Sequence, residues 1–133
     1  MKLLRWGRDG GPKSSVFGFW FIEIKSLFSI VLLRFDGETR EAFHSHAFNA
    51  LTWWLSGEVR EELVSGEVRF WRPSFWPKLT RRSCFHRVHP IKRTWALSIR
   101  GPWAKRWQEF RRDMSELTTL ESGRKIVGRR HTS

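Results

Sequence analysis

The stretch FHSHAFNALTWWLSGEV, residues 43–59, sets two histidines two apart, His44 and His46, ahead of an aromatic run that ends at Ser56-Gly57. In an extended segment, side chains at i and i+2 share a face. His44 and His46 are therefore expected side by side, placed to share one metal ion. Imidazole suits zinc, iron, copper or nickel. A third ligand from a distant strand would close a facial set and leave positions open for water or substrate. His86, in the strand-like segment Cys84–Val88, is the natural third ligand. His89 has the opposite parity and is followed by Pro90, and His131 lies in the last three residues. Spacing alone supports this weakly, because two such histidines are equally well satisfied by hydrogen bonds inside a barrel mouth.

Outward from this stretch the chain reads as short strands divided by turns. Residues 1–15 (MKLLRWGRDGGPKSS) are polar and Gly-rich and read as an irregular lead-in. Residues 16–25 alternate apolar Ile22 and Ile24 with Glu23 and Lys25, a strand pattern. Residues 27–35 (LFSIVLLRF) follow as a strand apolar on both faces, closed by the turn signal Asp36-Gly37. Val59–Val64 and Val68–Arg72 flank Ser65-Gly66 as a hairpin, and Pro73 and Pro77 mark an edge or loop. Cys84–Val88 and Trp95–Arg100 are the last two expected strands. Trp107, Phe110, Met114 and Leu117 are spaced three, four and three apart and predict a short helix over Trp107–Leu120. Residues 121–133 read as a basic flexible tail. Regular short strands with frequent turns predict an all-β sandwich or barrel in one domain, residues 16–120 with the helix included. No phosphate-binding loop, dinucleotide fingerprint or cysteine-rich zinc pattern is present.

Composition narrows the setting. The chain has 133 residues, nine Trp, eleven Phe, no Tyr and one cysteine, Cys84. An intramolecular disulfide is excluded, which fits a reducing cytoplasm. Glu23 and Lys25 inside Val16–Leu33 speak against a membrane span, and no signal peptide is evident. Residues 1–66 carry eight basic and eight acidic side chains, so the net charge of +12 belongs to the second half. Such a field favours anionic partners, among them nucleotides and nucleic acid.

The flanks of the histidine pair carry a resemblance. FHSHAFNALTWWLSGEV, with Gly37 before the pair and Gly57 after it, resembles the first sequence motif of the cupin superfamily. The second half is similar to a bacterial and phage subgroup of small cupins in His86-Arg87-Val88, Thr94-Trp95-Ala96-Leu97, Gly101-Pro102 and Trp107. The resemblance covers roughly residues 16–110. It implies a double-stranded β-helix, a jelly-roll-like barrel, with a divalent metal (Fe, Zn or Ni) held by His44, His46 and His86, and a homodimer. The acidic ligand of the motif is missing. Asn49, Ala50 and Leu51 stand in its place, so Asn49 is the expected additional ligand or the contact of a metal-bound water.

Three functions follow as expectations. The first is a metal-dependent (Fe or Zn) enzyme, dioxygenase-like, with a pocket walled by Trp53 (or, by parity, Trp54), Trp71, Trp95 and Trp103. Glu41 is the one acid near the pair, with its side chain expected outward. The second is a non-catalytic accessory protein of a phage-infected host cytoplasm. It would bind a nucleotide or phosphate ligand, steered by Arg87 and its neighbours Arg81, Arg82, Lys92 and Arg93, or a host factor as in counter-defence. The third is a single-stranded nucleic-acid binder that uses the basic and aromatic residues of the second half.

Overall fold

The computed structural model describes residues 1–9, 14–36, 43–111, 116–121 and 125–131. They form eleven strands: β1 Lys2–Arg8, β2 Val16–Ile24, β3 Phe28–Phe35, β4 Phe43–His44, β5 Ala50–Leu63, β6 Val68–Trp71, β7 Lys78–Thr80, β8 His86–Arg100, β9 Arg106–Arg111, β10 Glu116–Glu121 and β11 Lys125–His131. All pairings are antiparallel, in the order β1-β2-β3-β8-β4-β9-β10-β11, with β5 pairing β6, β7 and β8. The all-β expectation holds.

The centre is β8. Its residues 95–100 pair with β3 on one side and β5 on the other. Its first residue, His86, pairs with Leu63 of β5 and with His44 of β4. Along β3 and β8 burial alternates: Val31, Leu33, Phe35, Thr94, Ala96, Ser98 and Arg100 point inward. Trp20, Val31, Leu33, Phe35, Trp54, Val59 and Ala96 form the core, with Val16, Trp71 and Val88 packed against it. At roughly 1.5–3 kcal/mol for each large buried side chain, this cluster is the main apolar contribution to stability.

Several elements depart from the expected boundaries. The lead-in 1–15 contains β1, which pairs with β2 along its length. The Ser56-Gly57 break lies inside one long β5, where the pairing with β8 slips around Ser56 and Glu58. The slips are bulges, which bend a strand without ending it. Pro90 likewise does not end β8. It sits beside the slip between Glu58 and Val59, where its missing N–H is tolerated. The helix expected over Trp107–Leu120 is replaced by β9 and β10, paired from Arg106↔Glu121 to Arg111↔Glu116. Ser45 docks on Gln108 and gives this segment a sheet partner, and its alternation of Trp107 and Glu109 then outweighs the helical spacing. Met114, Gly37 and Glu41 lie outside the described residues. Residues 125–131 of the expected tail pair with β10 as β11.

Gly57 is where the bulge meets a steric limit. Its φ is +91°, and an added Cβ would meet Thr94 Oγ1 and lie 2.5 Å from Arg93 O. Thr94 Oγ1 is itself engaged, accepting the Glu58 N–H at 3.0 Å. Gly66, in the β5–β6 turn, has φ +97° with nothing within 4 Å. Gly66→Ala is expected to cost about 1–2 kcal/mol from backbone strain alone. Gly57→Ala adds overpacking and is expected to cost about 2–5 kcal/mol. Urea denaturation of the two variants measures the difference, and equal losses would refute the Thr94 contact as its source.

Candidate metal centre

The two-residue strand β4 lies between β8 and β9. His44 is opposite His86 on one side and Glu109 on the other. Directly opposite residues of paired strands share a face, so the register itself brings His44 to His86. After His44 the chain is held by Ser45: its N–H donates to Gln108 O at 2.9 Å and its hydroxyl accepts the Gln108 N–H at 3.0 Å. His46 follows and turns toward the same point. Ring centroids are 4.9 Å apart for His44–His46, 4.9 Å for His44–His86 and 5.0 Å for His46–His86. One nitrogen of each ring lies within 4.8 Å of the others, a group that can hold a metal ion. His46 Nε2 and His86 Nε2 are 2.9 Å apart. Two nitrogens bound to one ion at about 2.1 Å and at right angles stand about 3.0 Å apart, so this pair of donors is already at ligand spacing, with the His44 donor within 4.8 Å of both.

The feature that sequence reading missed is Glu61. It is fully buried, on the inward parity of β5 that Val59 also occupies. Its partner across the ladder is Val88, which places His86 on the diagonal. His86 Nδ1 donates to Glu61 Oε2 at 2.5 Å, Lys78 Nζ donates to the same oxygen, and Trp71 Nε1 donates to Oε1 at 3.1 Å. Burial by itself would raise the Glu61 carboxyl. The hydrogen bond from His86 and the Lys78 ammonium outweigh burial and hold the group at about 2. The carboxylate therefore only accepts, and the His86 proton sits on Nδ1. Nε2 is thereby the nitrogen turned toward His46 and the one a metal would take. His46 is pushed well below the ordinary histidine range, first by burial and then by His86 and Arg100, and is neutral. The parity of Val59 was the signal that could have found Glu61.

Around the histidines is a cavity of about 310 Å³. One wall is aromatic: Phe48 stacks on His46 (5.1 Å), Trp103 meets Phe48 edge-on (5.4 Å), and Trp107 meets Trp103 edge-on (5.7 Å). Arg100 is 4% exposed, lies over Phe48 and is held by both oxygens of Asp9 at 2.7 and 3.3 Å.

The expected wall residues divide. Trp103 lines the cavity, and Trp54, not Trp53, is the inward member of its pair. Trp53 lies in a groove on the outer surface with Phe75 and Leu97. Trp71 packs on the core and serves Glu61. Trp95 is on the outer face, within 5.8 Å of the Arg34 guanidinium. Arg87 is bound to Glu62 at 2.7 Å and covers the Phe43 ring. Arg93 pairs with Asp36. None of Arg81, Arg82, Arg87, Lys92 and Arg93 is among the described residues lining the cavity. Asn49 is exposed, and its Oδ1 accepts the Arg82 N–H at 2.8 Å, so it organises a loop and does not face the histidines. Among the described residues no helix is long and apolar enough to cross a membrane.

By sequence, no family model and no curated protein matches the chain. Its folded shape is similar to solved structures. A sugar phosphate isomerase of the cupin superfamily from Silicibacter pomeroyi has a TM-score of 0.60 at 9% identity, over 89% of this chain and 77% of that one. Ectoine synthase from P. lautus gives 0.58 at 13% identity, over 68% and 66%. An RmlC-like cupin from Shewanella frigidimarina gives 0.56 at 11% identity, over 74% and 84%. At these identities the likeness concerns architecture: the chain has the all-β cupin fold, with a three-histidine cluster inside it that can hold a metal ion.

Proposed function

We propose that the chain is a metal-dependent cupin enzyme, with His44, His46 and His86 as ligands of one divalent cation (Fe, Zn or Ni) and a small oxygen-bearing molecule as substrate. The observation that carries this reading is the convergence of three imidazoles with the far side of His86 capped by a buried carboxylate. Neutral imidazoles that bond only one another would not call for a buried ion pair behind them. When bound, the metal supplies Lewis acidity toward a substrate oxygen. The protein's own part is to orient and to exclude water. Glu61 keeps the His86 proton on Nδ1. Phe48, Trp103 and Trp107 give a substrate an apolar wall, while Lys78 and Arg100 bring positive charge to the cavity. Structures of similar fold include a sugar phosphate isomerase and ectoine synthase, so chemistry on small polar molecules is compatible with this scaffold.

We further infer that the outer sheet face is covered by a second copy of the chain. Two rows of side chains cross it: Trp6, Phe19, Leu32, Leu97 and Trp53, then Leu3, Ile22, Ile30, Ile99, Leu51 and Leu79. Neither row has a charge. Monomers rarely expose so broad an apolar surface. The net charge of +12 would draw an acidic partner to basic surface, whereas an uncharged face matches its own copy. Two such sheets can stack aligned, about 10 Å apart. Sedimentation is expected to show a dimer for the wild type and a monomer for Ile99→Arg. A monomeric wild type at micromolar concentration would sink the inference.

Elemental analysis of untagged protein tests the metal reading. Stoichiometric Fe, Zn or Ni is expected in the wild type, with loss in His46→Ala and His86→Ala. A wild type that neither contains nor takes up any of the three overturns it.

Glu61 gives a separate prediction. Glu61→Gln replaces the charged two-oxygen acceptor behind His86 by an amide with one accepting oxygen for three donors, and metal affinity is expected to fall about 10–100-fold. The same change strands the Lys78 ammonium, whose side chain is 9% exposed, and is expected to cost about 3–5 kcal/mol. Combining Glu61→Gln with Lys78→Met should restore much of the stability and none of the affinity, read by urea denaturation and metal titration.

A further inference from the structure

Glu23 of β2 is 3% exposed and lines the same cavity as the histidines. The alternation of Ile22 and Ile24 with Glu23 would by itself put the acid on a solvent face. The register shift between Trp20 and Ile22 turns it inward. Among the described residues Glu23 accepts no hydrogen bond, and its ionic neighbour is Lys2 at 4.0 Å, beyond hydrogen-bond distance. The Lys2 side chain is 45% exposed and its ammonium lies over the Trp20 ring at 3.9 Å. A carboxylate away from water is costly unless donors reach it. Ser29 stands directly opposite Glu23 in the ladder, and Arg100 directly opposite Ser29, one inward row across β2, β3 and β8. Yet the fully buried Ser29 hydroxyl has no hydrogen-bond partner, and Arg100 is bound by both oxygens of Asp9. Glu23 therefore does not fold back on the nearest donor of its own sheet, and its carboxylate faces the cavity. From this row we infer that Glu23 recognises the substrate, accepting a hydrogen bond from a hydroxyl of a small polyhydroxylated molecule.

Charge selects the hydroxyl. The small donors that suit a carboxylate are ammonium and hydroxyl groups. Among the described residues lining the cavity, five are Lys or Arg and three, Glu23 included, are Asp or Glu. An ammonium would enter a cavity that is already cationic, beside the divalent ion read at the histidines. A phosphate or carboxylate would meet the Glu23 charge at this end. A neutral hydroxyl incurs neither cost. The metal takes an oxygen at the other end, so the substrate carries oxygen at both. Phe48 and Trp103 lead from one end to the other. Phe48 stacks on His46, Trp103 meets Phe48, and the Trp103 N–H donates to Lys25 O at 2.7 Å, two residues beyond Glu23. Their faces suit the C–H side of a polyol. The cavity, about 310 Å³, stands at the small end of ligand pockets, which run from roughly 300 to 1,000 Å³.

The inference rests on the reading of this cavity as a substrate site, and one set of titrations separates it from the metal. The full-length chain is titrated with glycerol, xylitol, D-ribose and D-glucose and followed by NMR, before and after loading with Zn²⁺. The probe that binds most tightly is then compared with its deoxy and amino analogues. The wild type is expected to bind at least one probe saturably. Removing the hydroxyl that Glu23 holds is expected to weaken binding about ten-fold or more in the wild type. The same removal should cost nothing in Glu23→Leu, which has no acceptor; a merely structural Glu23 would leave that cost in place. Glu67→Gln, at an exposed acid paired with Arg69, should match the wild type. The role of Glu23 is overturned by a wild type that binds none of the probes, by a hydroxyl cost that persists in Glu23→Leu, or by an amino analogue that binds more tightly than its parent. Zn²⁺ uptake without polyol binding leaves the histidine site standing. Polyol binding through Glu23 without Zn²⁺ uptake leaves Glu23 standing and sinks the metal. If Glu23→Leu fails to fold, wild-type crystals grown with the probe decide. A probe hydroxyl at hydrogen-bond distance from the Glu23 carboxylate is expected, and a probe bound elsewhere overturns the inference.

Discussion

Glu61 is a fully buried carboxylate, and a carboxylate can lie inside a barrel only where donors surround it. His86, Lys78 and Trp71 supply them from β8, β7 and β6. The strands around this residue are therefore tied by their hydrogen bonds to one another and also by the electrostatics of one oxygen pair. The consequence for the site is orientation. A histidine free to rotate or to change tautomer would be a poor ligand, whereas His86 has its Nδ1 proton fixed and its Nε2 directed at His46. The same low dielectric that makes Glu61 costly without partners strengthens the bonds it makes with them. The ion pair adds little to stability in itself, and what it supplies to the cluster is an imidazole held in one orientation.

The architecture serves this arrangement through β8. It is the strand that both β3 and β5 require, and its first residue is a histidine of the cluster. Bulges around Ser56 and Glu58 let β5 follow it through Pro90 without breaking. The two faces of the sheet then diverge in chemistry. The inner face mixes aromatic, cationic and imidazole groups around a cavity, and the outer face carries two uncharged apolar rows. β3 contributes to both faces, with Val31, Leu33 and Phe35 inside and Ile30 and Leu32 outside.

Local pattern was enough to read β2, β3 and the β5–β6 hairpin, because alternation and turn residues act within a few positions. It misled where two periods coincide. Trp107, Phe110 and Leu117 satisfy a helical stripe, but Trp107 and Glu109 also satisfy a strand, and only a partner decides between them. That partner, Ser45 with Gln108, lies 63 residues away. Parity narrowed the inward aromatic to Trp53 or Trp54, and burial selected Trp54. The His44–His46–His86 set was readable from spacing and resemblance together. The expected pocket positions of Trp71 and Trp95 were not, because strand assignment does not say which face of the sheet lies inside.

The sequence by itself determined an all-β chain with a histidine pair on an extended segment, a third histidine in a later strand, and a charge held in the second half. These are properties of neighbours along the chain. Only the tertiary structure decided that Glu61 is inside, that Asn49 is turned away, and that Glu109 stands beside His44. An acidic residue in a strand looks like solvated surface until its cross-strand neighbours are known. Those neighbours are set by register between segments far apart in the chain, which burial of the core chooses and local sequence does not encode.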